Sequence, residues 1–161
     1  MKGKKRQGST LPMVIVTIVL LVAMLGIMAS IVDTGQVQTQ RMYSYMKAKY
    51  AATSGSQLAL GAYFGDEGGK ILYNEFGARA ESRNKSREPI KSTHTFKDGA
   101  KAEIEINGSF EGATSGSENY YITIVSKSYL TGSKSYYEHT VVFKWATSGI
   151  RSEKGRLVTN E

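Results

Sequence analysis

The residue types that could do chemistry are few, and their spacing suits none of the common reactions. Cysteine is absent, which removes disulfide, zinc-finger and thiol chemistry. The only histidines are His94, in STHTF, and His139, in YYEHTVV. Each lies in the alternating pattern of a strand and is expected as a strand histidine at the sheet surface. Glu138 and His139 are neighbours in one strand, so they point to opposite faces and cannot act together directly. No HxxH or HExxH spacing pairs either histidine as a metal ligand. Glu103 and Glu105 share a face and superficially resemble paired carboxylates. They alternate with Ala102, Ile104 and Ile106, which makes them the wet side of a strand. GDEGGK lacks the GxxxxGK[ST] form of a phosphate loop, and no strand precedes it. Arg79, Arg83, Lys85 and Arg87 make a basic run, but Glu81 and Glu88 dilute it and no aromatic is interleaved for base stacking. It reads as part of a solvated loop. No catalytic residue, metal or cofactor is expected, the chain is not read as an enzyme, and nucleic acid is not expected among its partners.

Composition then asks what the chain does instead. It has 161 residues, a net charge of +7, ten tyrosines, five phenylalanines and one tryptophan, Trp145. Lys2, Lys4, Lys5 and Arg6 supply four of those charges, which leaves +3 for everything else. Cations beside an apolar segment act as an orientation signal and stay in the cytoplasm. From Leu11 to Val32 there is no charge, and Asp33 marks the far edge. As a helix that run spans ~33 Å, enough for a hydrocarbon layer of ~30 Å. Backbone groups in lipid must bond internally, so the segment must be helical. Pro12 falls in the first turn, where its missing N–H is harmless.

Three fates are open to such a segment. MASIVD offers Ala29 and Val32 as a secretory cleavage site, although the apolar run is longer than a secretory signal needs. An uncleaved anchor also explains the length. The third fate depends on Gly8, which separates the basic leader from the apolar run in KGKKRQGSTLPM. Gly8, Ser9, Thr10 and Leu11 resemble the class III signal peptide of type IV pilins and pseudopilins. That resemblance implies a prepilin peptidase cutting after Gly8, N-methylation of the new N-terminus at Ser9, and retention of the whole helix. The family's usual glutamate at the fifth mature position is replaced here by Met13. In the family that carboxylate pairs with a neighbouring subunit's terminal amine, so its loss implies a minor subunit of PilX or tip type rather than a major pilin.

The elements that follow fit the same picture. Val37, Met42, Tyr45, Ala48, Ala52, Ala59 and Tyr63 recur at steps of mostly three or four, with Gln38, Arg41, Lys47 and Gln57 on the other face. The membrane helix is therefore expected to run on without a break to residue 64, for ~80 Å in all. Ala51, Ala52, Ser54, Gly55 and Ala59 loosely resemble the small-residue stretch of minor pilins at this distance from the leader. FGDEGGK breaks the helix. Ile71, Leu72, Tyr73 and Phe76 fit one more helical turn or a short strand, and residues 77–89 read as an exposed loop. Strand patterns follow in STHTF, AKAEIEING, YYITIVSKSYL and SYYEHTVVFKWA, about four in all. Lys97-Asp98-Gly99 and TGSK are the hairpin turns. Tyr120, Tyr121, Tyr129, Tyr136 and Tyr137 are expected to pair across strands or fill the core, with an adhesive or subunit-contact surface as the alternative. The last hairpin also resembles the closing hairpin of minor pilins. After Trp145 the chain reads as a polar, frayed tail.

The expected fold is α+β: a long N-terminal helix packed on a small antiparallel sheet, pilin-like. The layout is a leader (1–8), a transmembrane helix (9–33), an amphipathic stalk (34–64), an antiparallel β domain (65–147) and a polar tail (148–161). The resemblance implies a structural subunit of a cell-surface filament, anchored by a single pass with its N-terminus cytoplasmic and its C-terminal domain outside. Its partners would be other pilin subunits, a prepilin peptidase, an inner-membrane assembly platform and membrane lipid. The alternative is a membrane-anchored extracellular binding module that forms no filament.

Overall fold

The computed structural model describes residues 10–65, 70–82, 88–111, 119–145 and 149–160. It is α+β, with a long N-terminal helix and a five-stranded antiparallel sheet. Helix α1 runs Thr10–Phe64, and α2 runs Ile71–Ser82. The strands are β1 (Ile90–Thr95), β2 (Lys101–Phe110), β3 (Tyr120–Tyr129), β4 (Tyr136–Lys144) and β5 (Ile150–Val158). Contacts divide the chain into two units, Met1–Met42 and Tyr43–Glu161.

In the first unit, every described side chain from Pro12 to Met42 is exposed. Three threonine hydroxyls, those of Thr17, Thr34 and Thr39, bond back within the helix. Thr17 Oγ1 donates to Met13 O and Thr34 Oγ1 to Ser30 O, each at 2.9 Å. Such back-bonding lets a threonine sit in an apolar setting without an orphaned polar group.

In the second unit, strands follow one another in sequence order, β1-β2-β3-β4-β5, as simple hairpins require. The β1–β2 turn uses the expected residues. Gly99 takes the left-handed φ of 77°, Phe96 N donates to Ala100 O at 2.8 Å, and Asp98 Oδ1 accepts from Ala100 N. At the β3–β4 turn Gly132 has φ of 72°, and Leu130 N donates to Ser135 O at 3.0 Å.

Alternation decides which face is buried. Ala102, Ile104 and Ile106 on β2, Ile122 and Ile124 on β3, and Val141 and Phe143 on β4 all face one way and are buried. Residues 45–63 of α1 and 72–80 of α2 cover them. Ala59 and Tyr63 of α1 and Phe76 and Ala80 of α2 pack in one cluster with them, while Tyr45, Ala48 and Ala52 of α1 pack with Tyr137 in a second one. Burial of each large apolar side chain contributes ~1.5–3 kcal/mol. The predicted stripe is therefore correct from Tyr45 onward. Met42 and Val37 are exposed, at 66% and 39%.

Three expectations are corrected. The sheet, expected with about four strands, has five, because the segment read as a tail forms β5. The segment from Gly77 to Ser82 is helix rather than exposed loop. Arg79 within it is buried, not solvated. Its Nε donates to Glu75 Oε1 at 3.0 Å, its NH1 reaches Glu88 O, and its guanidinium lies 4.8 Å from the Phe76 ring centre. Arg83, Lys85 and Arg87 lie outside the described residues. His139 is also buried rather than at the sheet surface, at 6% exposure.

Candidate functional site

Two places in the molecule could carry function: the uncovered apolar helix and the polar groups under the sheet. Among the described residues α1 is the one helix long and apolar enough to span a membrane. Its side chains from Met13 to Val32 are all at least half exposed where large and apolar, with Met13 at 74%. Met13 brings no carboxylate to this surface, as the sequence implies. Gly8 and Ser9, the expected cleavage residues, lie outside the described residues.

The second place is between α1 and the sheet. Ser56 Oγ lies 2.7 Å from His139 Nδ1, and His139 Nε2 lies 3.1 Å from Glu153 Oε1. This joins α1 to β4 and β4 to β5. The serine–imidazole–carboxylate order resembles a nucleophile with its base and orienter. Burial argues for a structural role instead. Ser56 is 0% exposed, and its hydroxyl also reaches Thr53 O at 2.7 Å, so no substrate carbonyl can approach it. Beside it, Ser126 stands opposite His139 in the β3–β4 register and is fully buried. Among the described residues Ser126 Oγ has no hydrogen-bond partner. This polar layer lies between two apolar clusters, one around Tyr63, Phe76 and Phe143, the other around Ala48, Ala52 and Tyr137.

The sequence carries a signal for that layer, visible once inner positions are lined up. Along β3 the inner face reads Tyr120, Ile122, Ile124, Ser126, Ser128; along β4 it reads Phe143, Val141, His139, Tyr137. The polar members fall at one end of both strands. Ser56 matches them because α1 turns from Ala59 to Ala52 over the same stretch. Gly55 is required there by close approach. A Cβ on Gly55 would come within contact distance of Ser126 Oγ and 2.7 Å from Ala102 Cβ.

The remaining candidates do not gather into a site. His94 is exposed on β1, edge-on to Phe96 at 4.7 Å. Glu103 faces Lys127, Glu138 and Arg156 in one cross-strand row of alternating charge on the outer face. Glu105 lies in the next row, opposite Val125. Tyr129 and Tyr136 pair with ring centres 5.4 Å apart, while Tyr120 and Tyr137 turn inward. Tyr63 donates to Trp145 O at 3.0 Å, and burial raises its phenol well above the ordinary tyrosine value, with Tyr73 and Tyr120 adding to the effect. Among the described residues no group of three His, Asp or Glu side chains could hold a metal. A groove of about 600 Å³ runs between Tyr43, Met46 and Tyr50 on α1 and Phe96 at the β1–β2 turn. The chain matches no protein-family model and no curated protein.

Proposed function

We propose that this chain is a membrane-anchored structural subunit, a minor type IV pilin or pseudopilin-like protein that assembles into a cell-surface filament or primes one. The observation that carries the reading is the uncharged surface of α1: every described side chain from Pro12 to Val32 is exposed, and none is ionisable. An exposed apolar surface of that size marks a lipid or protein interface. The segment holds twelve Leu, Ile and Val residues. On an insertion scale of roughly 0.3–0.6 kcal/mol each, they favour the membrane by about 4–7 kcal/mol. The same helix, further on, is built onto a sheet by small residues, so a single element can anchor the domain and hold it.

In this reading the basic leader keeps the N-terminus cytoplasmic, a prepilin peptidase cuts after Gly8, and Ser9 becomes the methylated N-terminus. The helix waits in lipid until an inner-membrane platform draws it among the helices of other pilins. Met13 contributes no carboxylate to those contacts, which favours a minor subunit. Photo-cross-linking from Ile18 or Leu25 in living cells tests the proposal. Adducts to other pilin subunits are expected; adducts to lipid alone, under conditions where filaments form, would instead support a membrane-anchored binding module.

A further inference from the structure

We propose that β5 is a releasable strand, and that the β4 edge it vacates accepts β5 from a second copy of this chain. This stands apart from the membrane reading and rests on how β5 is held. The strands β2 and β3 bury alternate side chains and β4 buries Tyr137, Glu138, His139, Val141 and Phe143, but no residue of β5 is buried. Its largest apolar side chains, Ile150 and Leu157, are 48% and 43% exposed. Segments with few buried apolar contacts open at free energies well below that of global unfolding.

Side-chain attachment of β5 is by hydrogen bonds and ion pairs. Arg156 donates to Glu138 Oε1 from Nε at 2.9 Å and from NH2 at 2.7 Å. Glu153 meets His139 Nε2. Arg151 donates to both oxygens of Glu111, one of them at 2.9 Å, and its guanidinium lies 4.6 Å from the Tyr121 ring centre. That arginine holds the Glu111 carboxyl below the usual carboxylate range. The Arg151–Glu111 pair is exposed on both sides and weakens as salt screens it, while Glu138 and His139 are buried and their contacts are screened less.

The occupant follows from the acceptor edge. Glu138 and His139 are 9% and 6% exposed with β5 in place. A strand that replaces β5 must bring a cation opposite Glu138 and an acid within reach of His139. It must also have glycine opposite His139, since a Cβ there would fall on the Tyr137 hydroxyl. Glu153, Gly155 and Arg156 meet these needs in a fixed order. A second copy supplies the same order, and exchange of identical elements rebuilds the same contacts between chains.

The absence of cysteine makes the test clean. Thr140 and Lys154 face each other in the β4–β5 register. Full chains carrying Thr140→Cys and full chains carrying Lys154→Cys are mixed in detergent micelles at high ionic strength, returned to low ionic strength and oxidised. Disulfide heterodimers are expected to exceed both homodimers, which report mere proximity in micelles. Adding Arg156→Glu to the Lys154→Cys chain is expected to abolish them, and adding Glu138→Arg to the Thr140→Cys chain to restore them. Hydrogen exchange at β5 amides is expected to outpace that at β3 by at least roughly tenfold, with the gap widening as salt rises. Heterodimers no more abundant than homodimers, or β5 amides protected like those of β3 at every ionic strength, would overturn the proposal.

Discussion

Gly55 is the residue on which the seating of α1 most depends. Any side chain there would collide with Ser126 and Ala102, both fixed in a sheet that cannot retreat. Gly55→Val is expected to cost about 1–3 kcal/mol, as overpacking of a filled core does. Gly61, six residues along the same helix, has nothing within 4 Å of the Cβ it lacks. Gly61→Ala should instead add up to ~1 kcal/mol of helix propensity. Chemical denaturation of both variants checks the contrast, and equal effects would mean that α1 is not seated as described. Ser126→Ala removes a buried hydroxyl that has no partner among the described residues, so it should be neutral or stabilising.

At the scale of elements, Tyr63 ties the end of α1 to the residue after β4. Its raised phenol gives a sign that can be worked out. Below pH 10.0 the phenol is neutral in both the folded and the unfolded chain, and its contribution to stability is at its full value. Above that pH the unfolded chain ionises while the buried group does not, so stability falls as pH rises. Tyr63→Phe is expected to cost ~0.5–1.5 kcal/mol at neutral pH through the lost bond to Trp145 O. It should also flatten the alkaline decline; a variant that declines as steeply as the parent would contradict the assignment. The elements themselves were legible to different degrees, for physical reasons. Ala102, Ile104 and Ile106 alternate cleanly with charged residues, and Asp98-Gly99 offers the left-handed turn, so β1–β2 could be read directly. β5 could not, because IRSEKGRLV buries neither face and so has no alternation to show. In α2, Glu75, Arg79 and Glu81 look like solvent chemistry. The burial of Arg79 depends on Glu75, Glu88 and Phe76, and only the folded chain brings Glu88 to it. The inward position of His139 is hidden in the sequence for a similar reason: Ser56, which lies against it, is distant along the chain.

For the whole molecule the proposed function makes the affinity of α1 for lipid the controlling quantity. Leu21→Arg replaces about 0.5 kcal/mol of favourable insertion with a cost of roughly 2.5–3.5 kcal/mol. Against a total of about 4–7 kcal/mol, one such change should weaken membrane retention, and Leu21→Arg with Leu25→Arg should abolish it. Fractionation of cells expressing each variant reads this out. The central claim is that the apolar helix is kept and its leader removed. Mass spectrometry of the chain taken from its native membranes tests this most directly. A mature chain that begins at methylated Ser9 and contains Leu11 to Val32 intact is expected. An unprocessed Met1, or a soluble chain that begins near Asp33, would contradict it.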